Sequence, residues 1–434
     1  MGRTAKRALS WSMATVVVTG VVLKGAFLAG ASLAADGPPV QEGFSTERLA
    51  RIAPAMSREI EKGTVPGAVT LIARNGKIVH FEAHGFLDSA KTKPMTRDAV
   101  FRGFSMTKPF TAVAAMALME QGRLGLRDPL AQYFPEFKDM KVYAEVRDER
   151  GRTSRVAVPA KRPILVWDLF RHTAGFTYGG SAPFPEMREA YEKADVESLN
   201  GDLSNDEFVK RLAAIPLAYE PGTRWEYSVA TDVLGLVVEK VSGQRLDRVL
   251  DEVLFRPLRM TQTSFQLRPD QAARFADAYD SDPLKTDLWK LARSEQDPGK
   301  RYVHGGAGAL ITAEDYFRFA QMVANGGELD GVRILSRESV EFMLSNHIQG
   351  LEGAPTPTTG PGYGFGLGWG VRLDEGGAWA PGSKGDAMWA GAGGTSFTVD
   401  RKEGIVGIFL AAGPSTRQHT RFLFKNLLYG ALVQ

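Results

Sequence analysis

Ser105-Met106-Thr107-Lys108 places a hydroxyl and an amine three residues apart, directly before a run that reads as a helix. Positions i and i+3 share one helix face, so the amine can reach the hydroxyl. Pro109 is tolerated only near a first turn, Thr111 to Met119 is rich in Ala, Met and Leu, and Gly122 supplies a stop. Ser105 therefore stands at a helix start, where free backbone N–H groups and the positive dipole end stabilise a developing alkoxide. Alone, a Ser-x-x-Lys also fits a solvated lysine on an ordinary helix. The rest of the chain decides between the two.

The chain has 434 residues, 44% hydrophobic and 24% charged, enough for one large core or two domains. Its 53 basic and 50 acidic residues leave a charge of +3, and no basic run of nucleic-acid type lies beyond the N-terminus. Nucleic acid is therefore not an expected partner. The first 35 residues read as a secretory signal: Arg3, Lys6 and Arg7 precede the apolar stretch Trp11 to Leu23, and Ser32-Leu33-Ala34 before Ala35 are small enough for cleavage. Lys24 interrupts the apolar run, so the expectation is export to a periplasm or outside the cell, with an uncleaved membrane anchor as the alternative. Without cysteine there is no disulfide and no thiol nucleophile.

Gly37-Pro38-Pro39 reads as a linker and Ser45 to Lys62 as one amphipathic helix. Ala68 to Ala73 and Ile78 to Ala83 flank Asn75-Gly76, a hairpin signal. The middle of the chain reads as helical, with Trp167 to His172, Asn205 to Ala214, Thr231 to Ser242 and Leu246 to Phe255. Strand patterns return in Phe365 to Val371, Met388 to Ala390, Ser396 to Asp400 and Ile405 to Ala411, before a last helix from Arg417 to Leu428. The expected organisation is a signal at 1–35, a discontinuous α/β domain from 40–130 and 300–434, and a mostly helical domain at 131–299.

Two further elements follow Ser105 in order. Tyr227-Ser228-Val229 lies in a turn before the helix near Thr231, and Trp389-Ala390-Gly391-Ala392-Gly393-Gly394-Thr395 joins two strand-like segments. Separately they read as a packed tyrosine and a tight hairpin. Together, Ser-x-x-Lys, Tyr-Ser-x and a glycine-rich strand edge resemble the serine β-lactamase and penicillin-binding-protein superfamily, and within it the family VIII carboxylesterases, which share the class C β-lactamase fold. Other segments that fit the pattern are Leu124 to Pro129, Asp168 to Gly175, Gly305-Gly306-Ala307-Gly308 and Gly362 to Gly370. The resemblance spans nearly the whole chain after the signal. It implies an α/β plus all-α, β-lactamase-like fold: an antiparallel sheet flanked by helices, with a helical insert domain.

The resemblance also implies an acyl-enzyme on Ser105, with Lys108 and Tyr227 sharing the base role. An ammonium about 4 Å from a phenol, at an effective dielectric near 20, favours the phenolate by about 4 kcal/mol. The oxyanion hole would be the backbone N–H groups of Ser105 and Ala392, with Gly391 keeping the edge open to substrate. Two departures bear on substrate. Trp389 stands where β-lactam-directed relatives carry a lysine, and Val229 where they carry an asparagine. Losing a charged hydrogen bond of about 1.5–3 kcal/mol weakens binding of a substrate carboxylate by one to two orders of magnitude. An apolar wall of Trp389 and Val229 suits short-chain or hydrophobic esters.

No Gly-x-Ser-x-Gly elbow, no His-Glu-x-x-His and no nucleotide fingerprint around Gly306-Ala307-Gly308 occurs. The six histidines, His80, His84, His172, His304, His347 and His419, read as structural or surface residues, so neither metal nor cofactor is expected. The expected partner is a small ester or amide substrate. The alternatives are a β-lactamase or D-amino-acid peptidase, a transacylase, and an envelope protein that keeps the fold for binding alone.

Overall fold

Asn75 and Gly76 both adopt positive φ, 50° and 80°, as a tight hairpin turn requires, and join β1 (Gly67–Arg74) to β2 (Lys77–Gly85). The computed structural model describes residues 40–197, 203–285 and 303–434. The signal and linker expectations, on residues 1–35 and 37–39, lie outside the described residues.

Five more strands come from the C-terminal part: β3 (Tyr363–Phe365), β4 (Gly370–Arg372), β5 (Ala387–Ala390), β6 (Ser396–Asp400) and β7 (Ile405–Ala411). They form one antiparallel sheet in the order β3-β4-β5-β6-β7-β1-β2. The β7–β1 seam, from Ile405 opposite Arg74 to Ala411 opposite Ala68, brings the two ends of the chain together. Strand β1 is buried on both faces, which explains its unbroken apolar run. Val69, Leu71 and Ala73 face one core, and Ala68 and Ile72 face another.

Helix α1 (Ile52–Glu61) and the C-terminal helix Arg417–Ala431 cover the Ala68 side. On the Val69 side lies α2 (Lys108–Glu120), buried from Lys108 through Leu118 and packed against α3 (Ala230–Ser242). A helix apolar on every side belongs at the centre of a core. Helical residues of the middle segment, among them Phe208, Leu212 and Leu250, share that core with Val69 and Val399, and Pro38–Gln434 form one compact unit.

Three expectations need correction. Phe365 to Val371 is two short strands rather than one, because Gly368 at φ +90° turns the chain between them and the Gly366 N–H closes the turn on the Trp369 carbonyl at 2.7 Å. The helix expected over Ser45 to Lys62 is interrupted between Leu49 and Ile52. The middle segment also contains a hairpin, Lys141–Arg147 with Thr153–Pro159. Its alternation is masked by charged residues on an exposed ribbon. Among the described residues, no helix is long and apolar enough to cross a membrane.

Candidate active site

Gly103 to Thr107 forms a tight turn ahead of α2, and Ala309 and Tyr316 pin it. The Gly103 N–H donates to the Ala309 carbonyl at 2.8 Å, the Ala309 N–H to Thr107 Oγ1 at 3.0 Å, and the Tyr316 hydroxyl to the Met106 carbonyl at 3.0 Å. Phe104, directly before the serine, holds φ +46°, a conformation that bulky residues rarely adopt. The turn thus lifts half-buried Ser105 above a helix that is otherwise wholly internal.

Ser105, Lys108 and Tyr227 meet here. The Tyr227 hydroxyl lies 2.7 Å from Ser105 Oγ, and Lys108 Nζ lies 3.4 Å from the same oxygen. The lysine has no exposed surface. Its Nζ donates to the Gly306 carbonyl at 2.8 Å and to the Tyr178 hydroxyl at 3.1 Å. Three N–H groups of an ammonium thus face three oxygens. The amine also sits over the Tyr227 ring, 4.8 Å from its centre.

Gly306 explains the small-residue run at 305–308. Its carbonyl accepts a hydrogen bond from Lys108 Nζ, its N–H donates to Asp232 Oδ1 at 3.1 Å, and a Cβ there would fall 2.5 Å from Asp232 Oδ2 and 3.1 Å from Lys108 Nζ. Burial opposes ionisation of Asp232, but the hydrogen bond and charge of His304, the charge of Lys108 and the Gly306 N–H outweigh it. Together they hold its carboxyl below the usual range. A buried anion therefore balances the buried amine.

Tyr227 is fixed by its neighbours. The His172 ring packs 4.9 Å from it, Trp225 stacks at 6.1 Å, and Trp389 approaches edge-on at 5.5 Å. His172 is fully buried at φ +55°, and its Nδ1 lies 3.1 Å from Ser228 Oγ. Burial, reinforced by the charge of Lys108, pushes its pKa well down and keeps the ring neutral. Arg421 is lowered to about 9, first by burial and then by the charge of Arg417, with the charge of Tyr227 acting the other way.

The glycine-rich edge runs beside the nucleophile. At Gly391 a Cβ would fall 2.4 Å from the Gly103 carbonyl and 2.3 Å from Thr395 Oγ1, so only glycine lets β5 approach the turn so closely. Ala392, next along, is exposed. Neither its backbone N–H nor that of Ser105 makes a hydrogen bond among the described residues, which leaves two donors open beside Oγ. Trp389 and Val229 lie elsewhere than an exposed wall. Trp389 is 0% and Val229 2% exposed, both within the main core, so Trp389 bears on the site by packing under Tyr227.

Sequence reasoning missed Tyr178, Asp232 and the packing of His172 against Tyr227. Tyr178 follows Gly175 in a segment without periodicity, and Asp232 looks like an ordinary first-turn acid of α3. Only the fold brings them to Lys108.

A family model described as Beta-lactamase matches residues 51–429. Esterase EstB of Burkholderia gladioli is 30% identical over 373 residues, covering 82% of this chain and 88% of its own. Protein Rv1367c of Mycobacterium tuberculosis is 34% identical over 367 residues, with the same coverage. Among solved structures, EstCE1, described as a hydrolase with promiscuous acyltransferase activity, superposes with a TM-score of 0.73 at 28% identity, over 88% of this chain and 99% of its own. Fold, match and relatives agree, and the chain belongs to the beta-lactamase family, as a β-lactamase-fold hydrolase with esterase and acyltransferase homologues.

Proposed function

We propose that this protein is a serine carboxylesterase of the family VIII type, acting on short-chain or hydrophobic esters through an acyl-enzyme on Ser105. The observation that carries the reading is Ser105 Oγ held 2.7 Å from the Tyr227 hydroxyl and 3.4 Å from Lys108 Nζ, beside two open backbone N–H groups. Tyr227, as phenolate, takes the Oγ proton while Oγ bonds to the carbonyl carbon and the C=O electron pair moves to oxygen. The Ser105 and Ala392 N–H groups receive that oxyanion. Collapse restores the carbonyl and breaks the bond to the alcohol, which leaves with the proton held by Tyr227. Water then repeats the sequence and releases the acid. Lys108 Nζ, 3.4 Å from Ser105 Oγ and over the Tyr227 ring, shares the base role.

The ester preference rests on the missing lysine of β5. With Trp389 in its place, that strand offers no cation to a substrate carboxylate, so β-lactam and peptide substrates lose binding that esters never need. Purified protein assayed in parallel with a short-chain p-nitrophenyl ester and a chromogenic cephalosporin tests this. The expected outcome is a far higher kcat/KM on the ester, abolished in Ser105→Ala. A higher value on the cephalosporin overturns the preference, and unchanged hydrolysis by Ser105→Ala overturns the mechanism. The description of EstCE1 favours a second outcome for the same acyl-enzyme, transfer to an alcohol. Ester formation from added alcohol would reveal it. Export, as the first 35 residues suggest, would place this chemistry outside the cytoplasm.

A further inference from the structure

His80, Glu82 and His84 alternate along β2 and so project from one face of the sheet. Thr70, directly opposite Glu82 in the β1–β2 register, projects from the same face. That face is the one β1 shares with α1 through Ala68 and Ile72, whereas α2 packs on the opposite face through Val69 and Leu71. The sheet therefore separates this group from Ser105. In the sequence His80 and His84 read as structural or surface residues, and the strand period of two is what gathers them with Glu82.

The Thr70 hydroxyl lies 2.7 Å from His80 Nε2 and 2.9 Å from His84 Nε2. It has one proton, so it donates to one ring and accepts from the other. The accepting ring's Nε2 lone pair is engaged by Thr70, whereas His80 Nδ1 points to the Glu82 side. Glu82 Oε1 lies 4.0 Å from His80 Nδ1, its Oε2 lies 4.0 Å from His84 Nε2, and donor atoms of all three residues fall within 4.8 Å of one another.

We propose that His80, Glu82 and His84 form a binding site for one divalent transition-metal ion of the zinc class, with His80 ligating through Nδ1 while Thr70 holds its Nε2, and His84 Nε2 exchanging Thr70 for the metal. On a tetrahedral zinc, donors each about 2.0–2.2 Å from the metal stand about 3.3–3.6 Å apart. The donor atoms, now within 4.8 Å of one another, therefore close by up to roughly 1.2–1.5 Å on binding. The Glu82 side chain, 45% exposed, has the freedom to make that rotation and leaves the way in open. Two imidazoles and one carboxylate select zinc and its neighbours over calcium or magnesium, and leave a fourth position for water. Arg97, whose charge reaches His80, opposes a dication, and the Glu82 carboxylate offsets it.

Equilibrium dialysis of the full chain against zinc alone tests the site, with visible absorption of the cobalt(II) form as a report of geometry. The expected result is one zinc per chain, a melting temperature that rises with zinc, and binding weakened about tenfold or more in both His84→Gln and Glu82→Gln. Ester hydrolysis by the two variants stays within about twofold of the parent, since the sheet lies between them and Ser105. Should His84→Gln fail to fold, Glu82→Gln carries the test, because its side chain is half exposed. No retained zinc, or equal retention by the parent and Glu82→Gln, overturns the proposal. The buried hydrogen bonds to Thr70 would then be the whole role of the two rings.

Discussion

Replacing Tyr178 with phenylalanine removes one oxygen and leaves the ring. Lys108 Nζ then keeps the Gly306 carbonyl at 2.8 Å and Ser105 Oγ at 3.4 Å, but loses its 3.1 Å partner. Because the amine has no exposed surface, water does not readily replace the lost acceptor. A hydrogen bond to a charged group contributes about 1.5–3 kcal/mol, which converts to a loss of roughly ten- to hundredfold in kcat/KM. Tyr178 acts on the reaction through the lysine, so the loss should fall on kcat, with KM within about twofold. Steady-state kinetics on a p-nitrophenyl ester, beside Ser105→Ala as the floor and circular dichroism as a check on folding, measures both. A Tyr178→Phe enzyme within threefold of the parent, or one changed only in KM, would refute the assignment of Tyr178 to Lys108.

Gly306→Ala should lower kcat by about a hundredfold or more, since its Cβ would press on Asp232 Oδ2 at 2.5 Å and Lys108 Nζ at 3.1 Å; activity near the parent's would mean the amine tolerates displacement. Trp389→Phe shrinks a fully buried side chain under Tyr227 and should cost about 1–3 kcal/mol in unfolding free energy, with kcat reduced more than KM. A rise confined to KM would return Trp389 to the substrate wall. Burial pushes His80 and His84 down to about 4, below the 6.5 of the unfolded chain, so their contribution is complete above pH 6.5 and is lost as pH falls toward 4. By pH 5 this amounts to roughly 2 kcal/mol per ring. Glu197, raised to about 7 by burial, acts in the opposite sense, because its folded form holds a proton that the unfolded chain releases above about 4.5. Urea unfolding at pH 7 and pH 5 should therefore show a steeper acid loss in Glu197→Gln than in the parent, and equal losses would contradict the buried, neutral carboxyl.

The elements visible in the sequence were those whose cause is local. Asn75-Gly76 marks its hairpin because two consecutive positive φ angles admit few residue pairs, and Ser105 to Gly122 marks its helix through a proline at the start and a glycine at the end. What stayed hidden depends on neighbours distant in sequence. The ribbon Lys141–Arg147 with Thr153–Pro159 alternates Val142, Ala144 and Val146 with mostly charged residues but buries little of either face, and the Gly362 to Gly370 run carries no sign of where the chain reverses.

For the site, the order Ser105, Lys108, Tyr227 and Gly391 was readable because the nucleophile, its amine and the close strand approach each demand a particular residue type. The sequence by itself determined the family, the sheet-and-helix architecture and the identity of these groups. Tertiary structure alone decided which oxygens surround Lys108: Gly306, Tyr178 and Ser105 lie 198, 70 and 3 residues from it. It also decided that Trp389 packs beneath Tyr227, where its chemical type had suggested a surface for substrate. The reason is physical: a side chain's type sets what it can bond, but its burial and partners follow from how distant segments pack.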